Sequence, residues 1–303
     1  MKLPEGIVIK EVGPRDGLQN EPELIGTQDK IEWINHLSST GLSYIEITSF
    51  VHPKWIPQLA DALEVAKGIH RNKDITYAAL VPNQKGLERA LSANIDEVSV
   101  FMSASETHNQ KNINKSIKET YPVIEEVIKN AKRHHKSVRG YLSTVFGCPY
   151  EGKVSVKDVI TISKTLFDMG IDELSIGDTI GVANPRQVER VLIEIREHFQ
   201  QNHIALHFHD TRGTALANCL TAMQLGFDTF DSSLGGLGGC PYARGASGNL
   251  ATDDLIYMLH GMGISTGVDE ARLKEAAIYI QQKLQKSLSS HQMEIMNQGR
   301  GVG

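Results

Sequence analysis

The feature that most constrains this chain is an alternation. Strand-like runs give way to helical ones eight times within roughly the first 260 residues. The strand candidates are Ile7–Val12, Tyr44–Ser49, Ile75–Val81 and Glu97–Met102, then Val138–Phe146, Asp172–Ile176, Ile204–His209 and Thr229–Leu234. Amphipathic stretches lie between them, among them Thr27–Ser39, Ser116–His134, Ser155–Met169, Pro185–Phe199 and Thr214–Leu225. Glycines at Gly41, Gly170 and Gly226 stand where a left-handed residue ends a helix. Thr27, Ser155 and Asn184-Pro185 mark helix starts. The pattern predicts an α/β fold, a (β/α)8 TIM barrel filling residues 1–303 as one domain. A doubly wound sheet is the runner-up. It would carry a glycine-rich nucleotide turn after its first strand, and here that turn reads Gly13-Pro14-Arg15-Asp16-Gly17. Asn249–Leu259 should follow the last strand as its helix. Asp269–Ser287 should be an extra helix, 269–303 a C-terminal extension, and Asn297–Gly303 a disordered or mobile end.

Composition narrows the function classes. The chain has 303 residues, 40% of them hydrophobic, enough for a large core. A formal net charge of −5 without a basic cluster argues against a nucleic-acid partner. Lys132, Arg133 and Lys136 read as the solvated end of a helix. The start, Met1-Lys2-Leu3-Pro4, lacks the apolar region of a signal peptide, and no run of about 18 apolar residues offers a membrane span. Three widely spaced cysteines, Cys148, Cys219 and Cys240, suit free thiols in a reducing compartment. The expectation is a soluble cytoplasmic globular protein.

Two histidines in Leu206-His207-Phe208-His209-Asp210 are one residue apart in a strand-like run, so they share a face. An HxH alone is as readily one packed and one solvated histidine. Its company changes the reading: Asp16 follows the first strand, and Asn249 follows the glycine-rich Gly235–Gly239. Asp, His, His and Asn offer oxygen and nitrogen without thiolate, which suits Mg2+ or Mn2+ better than structural zinc. In a barrel, strand ends and the loops after them carry the chemistry. Those positions also hold Arg15, Glu46, Ser49, Asn83, Tyr141, Ser143, Thr144, Asp178, Thr179 and Cys240. Glu46, between Ile45 and Ile47, faces opposite to both and is costly unless paired. Arg15 is a permanent cation suited to a developing enolate, or simply a loop ion pair with Asp16. Asp178 is either a cap or a group orienting the metal ligands. Cys240, between Gly238-Gly239 and Pro241-Tyr242, reads as a reactive thiol in a lid, whereas Cys219 reads as packing and Cys148 is open. The glycines could equally form a phosphate-binding turn.

Nearly the whole chain resembles the hydroxymethylglutaryl-CoA lyases, barrel metallolyases that share an Arg-Asp pair and an HxH. The likeness rests on Val12–Glu21, Ile45–Phe50, Gly177–Gly181, His207–Asp210 and, most specifically, Leu234–Asn249 with its Gly-Gly-Cys-Pro-Tyr-Ala-Arg-Gly-Ala-Ser-Gly-Asn. The resemblance implies Asp16, His207, His209 and Asn249 as metal ligands and Arg15 as the electrophilic stabiliser. It makes Cys240 the catalytic thiol and Glu46 and Asp178 supporting groups in the site. Arg15, Gln19 and Ser49 are candidate substrate contacts. It further implies cleavage of an acyl-CoA, 3-hydroxy-3-methylglutaryl-CoA, to acetoacetate and acetyl-CoA as in leucine degradation, and a homodimer. Rival expectations are a lyase for a longer 3-hydroxy-3-alkylglutaryl-CoA and a Claisen-type synthase joining acetyl-CoA to a 2-oxo acid. Cys240 and the lack of a regulatory domain weigh against the synthase.

Overall fold

The computed structural model describes residues 3–238 and 248–299. Its eight strands are β1 (Val8–Glu11), β2 (Tyr44–Ser49), β3 (Thr76–Leu80), β4 (Glu97–Ser103), β5 (Ser137–Ser143), β6 (Glu173–Asp178), β7 (Ile204–Phe208) and β8 (Thr229–Ser232). They pair in chain order, all parallel, and close when β1 meets β8 with Glu11 opposite Ser232. The fold is a (β/α)8 barrel, and the closed ring rules out the doubly wound sheet. The helices are α1 (Thr27–Ser38), α2 (Ala62–Gly68), α3 (Gln84–Ser92), α4 (Glu106–Ile113), α5 (Ile117–Arg133), α6 (Val156–Met169), α7 (Pro185–Arg196), α8 (Ala215–Gln224), α9 (Thr252–Gly261), α10 (Glu270–Leu284) and α11 (His291–Gly299).

The apolar core lies between strands and helices. From α1, Ile31, Trp33, Ile34 and Leu37 are buried against the sheet, each contributing roughly 1.5–3 kcal/mol. Inside the barrel the chemistry changes. Lys10 and Arg139 share the Glu173 carboxylate at 2.8 and 2.6 Å, and Arg139 reaches Asp231 at 2.5 Å. Buried charges of this kind persist only when paired and hydrogen-bonded. The paired ladder fills the barrel where branched apolar side chains commonly stand.

The helix punctuation follows the sequence, with two adjustments. Gly170 ends α6 at φ +106°, a conformation that only glycine adopts cheaply; Gly41 and Gly226 also have positive φ. Asn184 caps α7 by accepting from the Gln187 amide. The Thr27 hydroxyl instead donates to Asp61 at 2.7 Å, joining α1 to the turn before α2. The expected mobile end is corrected in its described part. Asn297 to Gly299 close α11, and Asn297 exchanges two hydrogen bonds with Gln281 of α10. The physical cause lies at the other end of α11, where Asp254 accepts the His291 and Gln292 amides and Met293 is buried. Residues 300–303 fall outside the described residues. No helix among the described residues is long and apolar enough to cross a membrane.

Candidate active site

Directly after β1 the chain makes one wide π-helical turn, Gly13–Gly17. The amides of Arg15, Asp16 and Gly17 converge on the Val12 carbonyl at 3.1, 2.7 and 3.3 Å. This turn aims two neighbouring side chains at the barrel mouth. Arg15 Nε donates to Glu46 Oε2 at 2.5 Å, and Arg15 Nη1 donates to Asp16 Oδ1. Tyr141, from β5, donates to the same Glu46 oxygen at 3.1 Å and lies 5.1 Å beneath the guanidinium. Among the described residues no acceptor meets Arg15 Nη2, so one donor edge is free for a ligand oxygen.

Across the mouth, His207 and His209 present rings 5.2 Å apart. Ligand atoms of Asp16, His207 and His209 all lie within 4.8 Å of one another, and the three side chains are buried. Asn249 enters from the segment after β8 through a bridge with His209, and its Nδ2 donates to Asp16 Oδ2 at 2.8 Å and Leu237 O at 3.1 Å. Among the described residues, the buried His209 Nδ1 and Asn249 Oδ1 meet no partner. Orphaned lone pairs beside a carboxylate are what a divalent ion satisfies, so these residues fit a metal centre. The second nitrogen of His207 is spoken for: Nδ1 faces Asp231 Oδ2 at 3.3 Å, while Nε2 faces Asp16 at 3.9 Å. Asp231 also accepts from Ser175 at 2.7 Å and from Arg139. A carboxylate behind a ligating histidine fixes the ring and its tautomer.

The electrostatics keep these groups in the forms that bind a cation. Burial pushes the His209 imidazolium down to about 3, helped by His207, so the ring is neutral at pH 7. Burial also works against the Asp16 carboxylate, but Arg15 and the two histidines outweigh it and hold the group below its usual range. Arg15 pays its own desolvation through Glu46 and Asp16 and is charged throughout.

The remaining sequence candidates divide by place. Gln19 donates to Asp16 Oδ1 at 2.8 Å and belongs to the cluster. The Asp178 carboxylate accepts the Val182 and Ala183 amides at 3.0 and 2.9 Å, while its backbone carbonyl accepts the His209 amide at 3.2 Å. It shapes the loop and seats His209. Ser49 is buried at the end of β2 and accepts from Val51 at 3.3 Å. Asn83 is the cap of α3 and stands outside the cluster. Cys219 is buried in α8, as read, and the Cys148 thiol donates to Ser105 at 2.9 Å. Cys240 lies outside the described residues.

A family model described as HMGL-like matches residues 7–280. The chain belongs to the HMGL-like family. It is 61% identical over 295 residues to hydroxymethylglutaryl-CoA lyase YngG of Bacillus subtilis, with 97% of this chain and 99% of that protein covered. A crystal structure of a Bacillus subtilis HMG-CoA lyase superimposes with a TM-score of 0.97 at 61% identity, covering 98% of this chain and all of that one. An HMG-CoA lyase from Acinetobacter baumannii, solved with coenzyme A and 3-methylmalate, gives a TM-score of 0.91 at 41% identity, covering 95% and 94%.

Within this HMGL-like site, two residues escaped the sequence reading. Arg139 and Asp231 sit mid-strand, not at strand ends, and received no role. The available signal was the one applied to Glu46: a charge within an apolar strand must be paired.

Proposed function

We propose that this chain is a metal-dependent carbon–carbon lyase that cleaves 3-hydroxy-3-methylglutaryl-CoA to acetoacetate and acetyl-CoA. The observation that carries the reading is the cluster of Asp16, His207, His209 and Asn249 with the free donor edge of Arg15 beside it. The named relatives support it across nearly the full chain. The catalytic unit is the whole chain, 1–303, with 269–303 as its C-terminal extension. Asp16, His207, His209 and Asn249 hold the ion, and their oxygen and nitrogen donors suit Mg2+ or Mn2+. When bound, the ion supplies Lewis-acid polarisation of hydroxyl and carboxylate oxygens.

The chain's residues do the rest. A base takes the C3 hydroxyl proton, with a ligand-side histidine or Asp16 as the candidates, and C3 becomes the carbonyl of acetoacetate as the C2–C3 bond breaks. The bond's electrons move to C2 and the thioester oxygen, and Arg15 stabilises that enolate through its unpaired edge. Glu46 holds the guanidinium from behind, with Tyr141 on the same oxygen. Asp178 seats His209, and Gln19 and Ser49 complete the substrate side. Cys240 delivers the proton that converts the enolate to acetyl-CoA. That role rests on its Gly-Gly-Cys-Pro setting in the sequence. We place the enzyme in the cytoplasm, as a homodimer, with a role such as leucine breakdown supplies.

The test is direct. Purified protein with Mg2+ should convert 3-hydroxy-3-methylglutaryl-CoA to equimolar acetoacetate and acetyl-CoA. Consumption of acetyl-CoA with a 2-oxo acid, and no cleavage, would assign the synthase reaction instead. Faster cleavage of a longer 3-alkyl homologue would move the substrate assignment.

A further inference from the structure

Glu11 is a fully buried carboxylate that the chemistry above does not use. It ends β1, on the strand face opposite to Lys10, and looks into the seam between β8 and α9. Three donors from three segments converge on it. Oε1 accepts the Gly13 amide at 2.8 Å and the Leu234 amide at 3.0 Å, and Oε2 accepts the Thr252 hydroxyl at 2.6 Å. Each donor is a short step from the site. Gly13 begins the turn that presents Arg15 and Asp16. Leu234 lies three residues before Leu237, whose carbonyl receives Asn249. Thr252 lies three residues after Asn249 and opens α9.

We propose that Glu11 is the positioning residue that fixes the Asp16 turn against the Asn249 segment, and thereby the spacing of metal ligands drawn from opposite ends of the chain. The proposal concerns ligand geometry within the site read above. Its physical basis is an accounting of buried amides. β1 and β8 both stop at the pair Glu11–Ser232, so the amides of Gly13 and Leu234 lose their ladder partners just where the site begins. One carboxylate oxygen serves both and ties the two turns at a single point. Gly13 is shaped to this approach: a Cβ there would lie 2.5 Å from Glu11 Oε1, as well as 3.1 Å from Ser233 Oγ and 3.2 Å from Trp33. The close contact leaves no slack between the two turns.

Two measurements on the full chain test this. The first is the Asn249 side-chain amide resonance in metal-free protein, assigned with Asn249→Ala, which reports the contact with Asp16. The second is Mn2+ affinity by titration of its electron spin signal. Glu11→Ala should move the Asn249 resonance and weaken Mn2+ at least tenfold. Glu11→Gln keeps an acceptor oxygen for both amides and should leave the resonance in place and Mn2+ within about threefold of wild type. A folded Glu11→Ala protein with both readouts like wild type overturns the proposal. So does a Glu11→Gln protein as impaired as Glu11→Ala. If Glu11→Ala does not fold, Thr252→Val decides, because it removes only the α9 arm. A shifted Asn249 resonance supports the proposal, and an unmoved one overturns it. The resonance is read without metal or substrate, so a failure of the lyase reading would leave this result standing.

Discussion

Asp231 joins the ion ladder inside the barrel to the candidate metal centre, because one carboxylate serves both Arg139 and His207. Arg139 holds it ionised far below the usual carboxylate range despite burial. Asp231→Asn removes the charge that orients His207 and should weaken Mn2+ binding by 10- to 100-fold with the fold intact. An affinity equal to wild type would show that His207 needs no support. Removing a ligand is harsher: His207→Ala or His209→Ala should lower Mn2+ affinity at least tenfold and abolish most activity. Arg15→Gln should cut kcat by about 10^3 with KM within a few-fold, since an enolate stabiliser contributes little to ground-state binding. A large KM rise at normal kcat would make Arg15 an anchor only. Asp16, His207, His209, Asn249, Arg15 and Glu46 were legible in the sequence because strand ends and the HxH spacing say where a barrel does chemistry. Arg139 and Asp231 were not, because their function is to face each other across the barrel, and one strand's sequence does not reveal what faces it.

Elements were easier to place than their ends. All eight strands and the helices α1 and α5 to α10 follow from apolar periodicity, a signal spread over many residues, whereas the short α2, α3 and α4 were not named from the sequence. Ends depend on single contacts. α9 begins at Thr252, not Asn249, because Asn249 bridges to His209 and remains extended. That delay puts its side chain on Asp16. α11 escaped the sequence reading for a similar reason, since its cap, Asp254, lies 37 positions earlier in the chain. Asp254→Ala should therefore loosen α11 alone. The expected result is faster amide exchange across 291–299, a cost of about 1–2 kcal/mol for the lost cap, and unchanged protection in the strands. Equal loosening of β7 and β8 would show that α11 and the barrel unfold together.

The whole molecule carries buried carboxylates that titrate in opposite directions. Burial raises Glu11 from 4.5 to about 7 and Asp253 from 3.8 to about 6. Both hold protons more tightly folded than unfolded, so their contribution is complete below the unfolded values and is lost as pH rises through 6 to 7. For Glu11 the swing is roughly 3 kcal/mol. Asp16 and Asp231 are held low, so theirs is present at neutral pH and lost on acidification. Glu11→Gln should therefore gain on wild type in Tm between pH 5 and pH 8, and a gap that does not change with pH would refute the Glu11 assignment. Ion binding adds to stability in the same way. Saturating Mn2+, at a hundred times its Kd, should stabilise by about 2.7 kcal/mol, and EDTA should reverse the shift in Tm.

Closure of β1 on β8 also sets a clock. Asp16 and Asn249 are 233 positions apart, and a ribosome adding about 5–20 residues per second takes on the order of ten to fifty seconds to make the stretch between them. Throughout that interval the nascent chain carries Arg15, Asp16 and Glu46, and later His207 and His209, but not the Asn249 that completes the proposed ligand set. On the proposed metal-centre reading, the full ligand set exists only after translation has passed the last strand and Asn249.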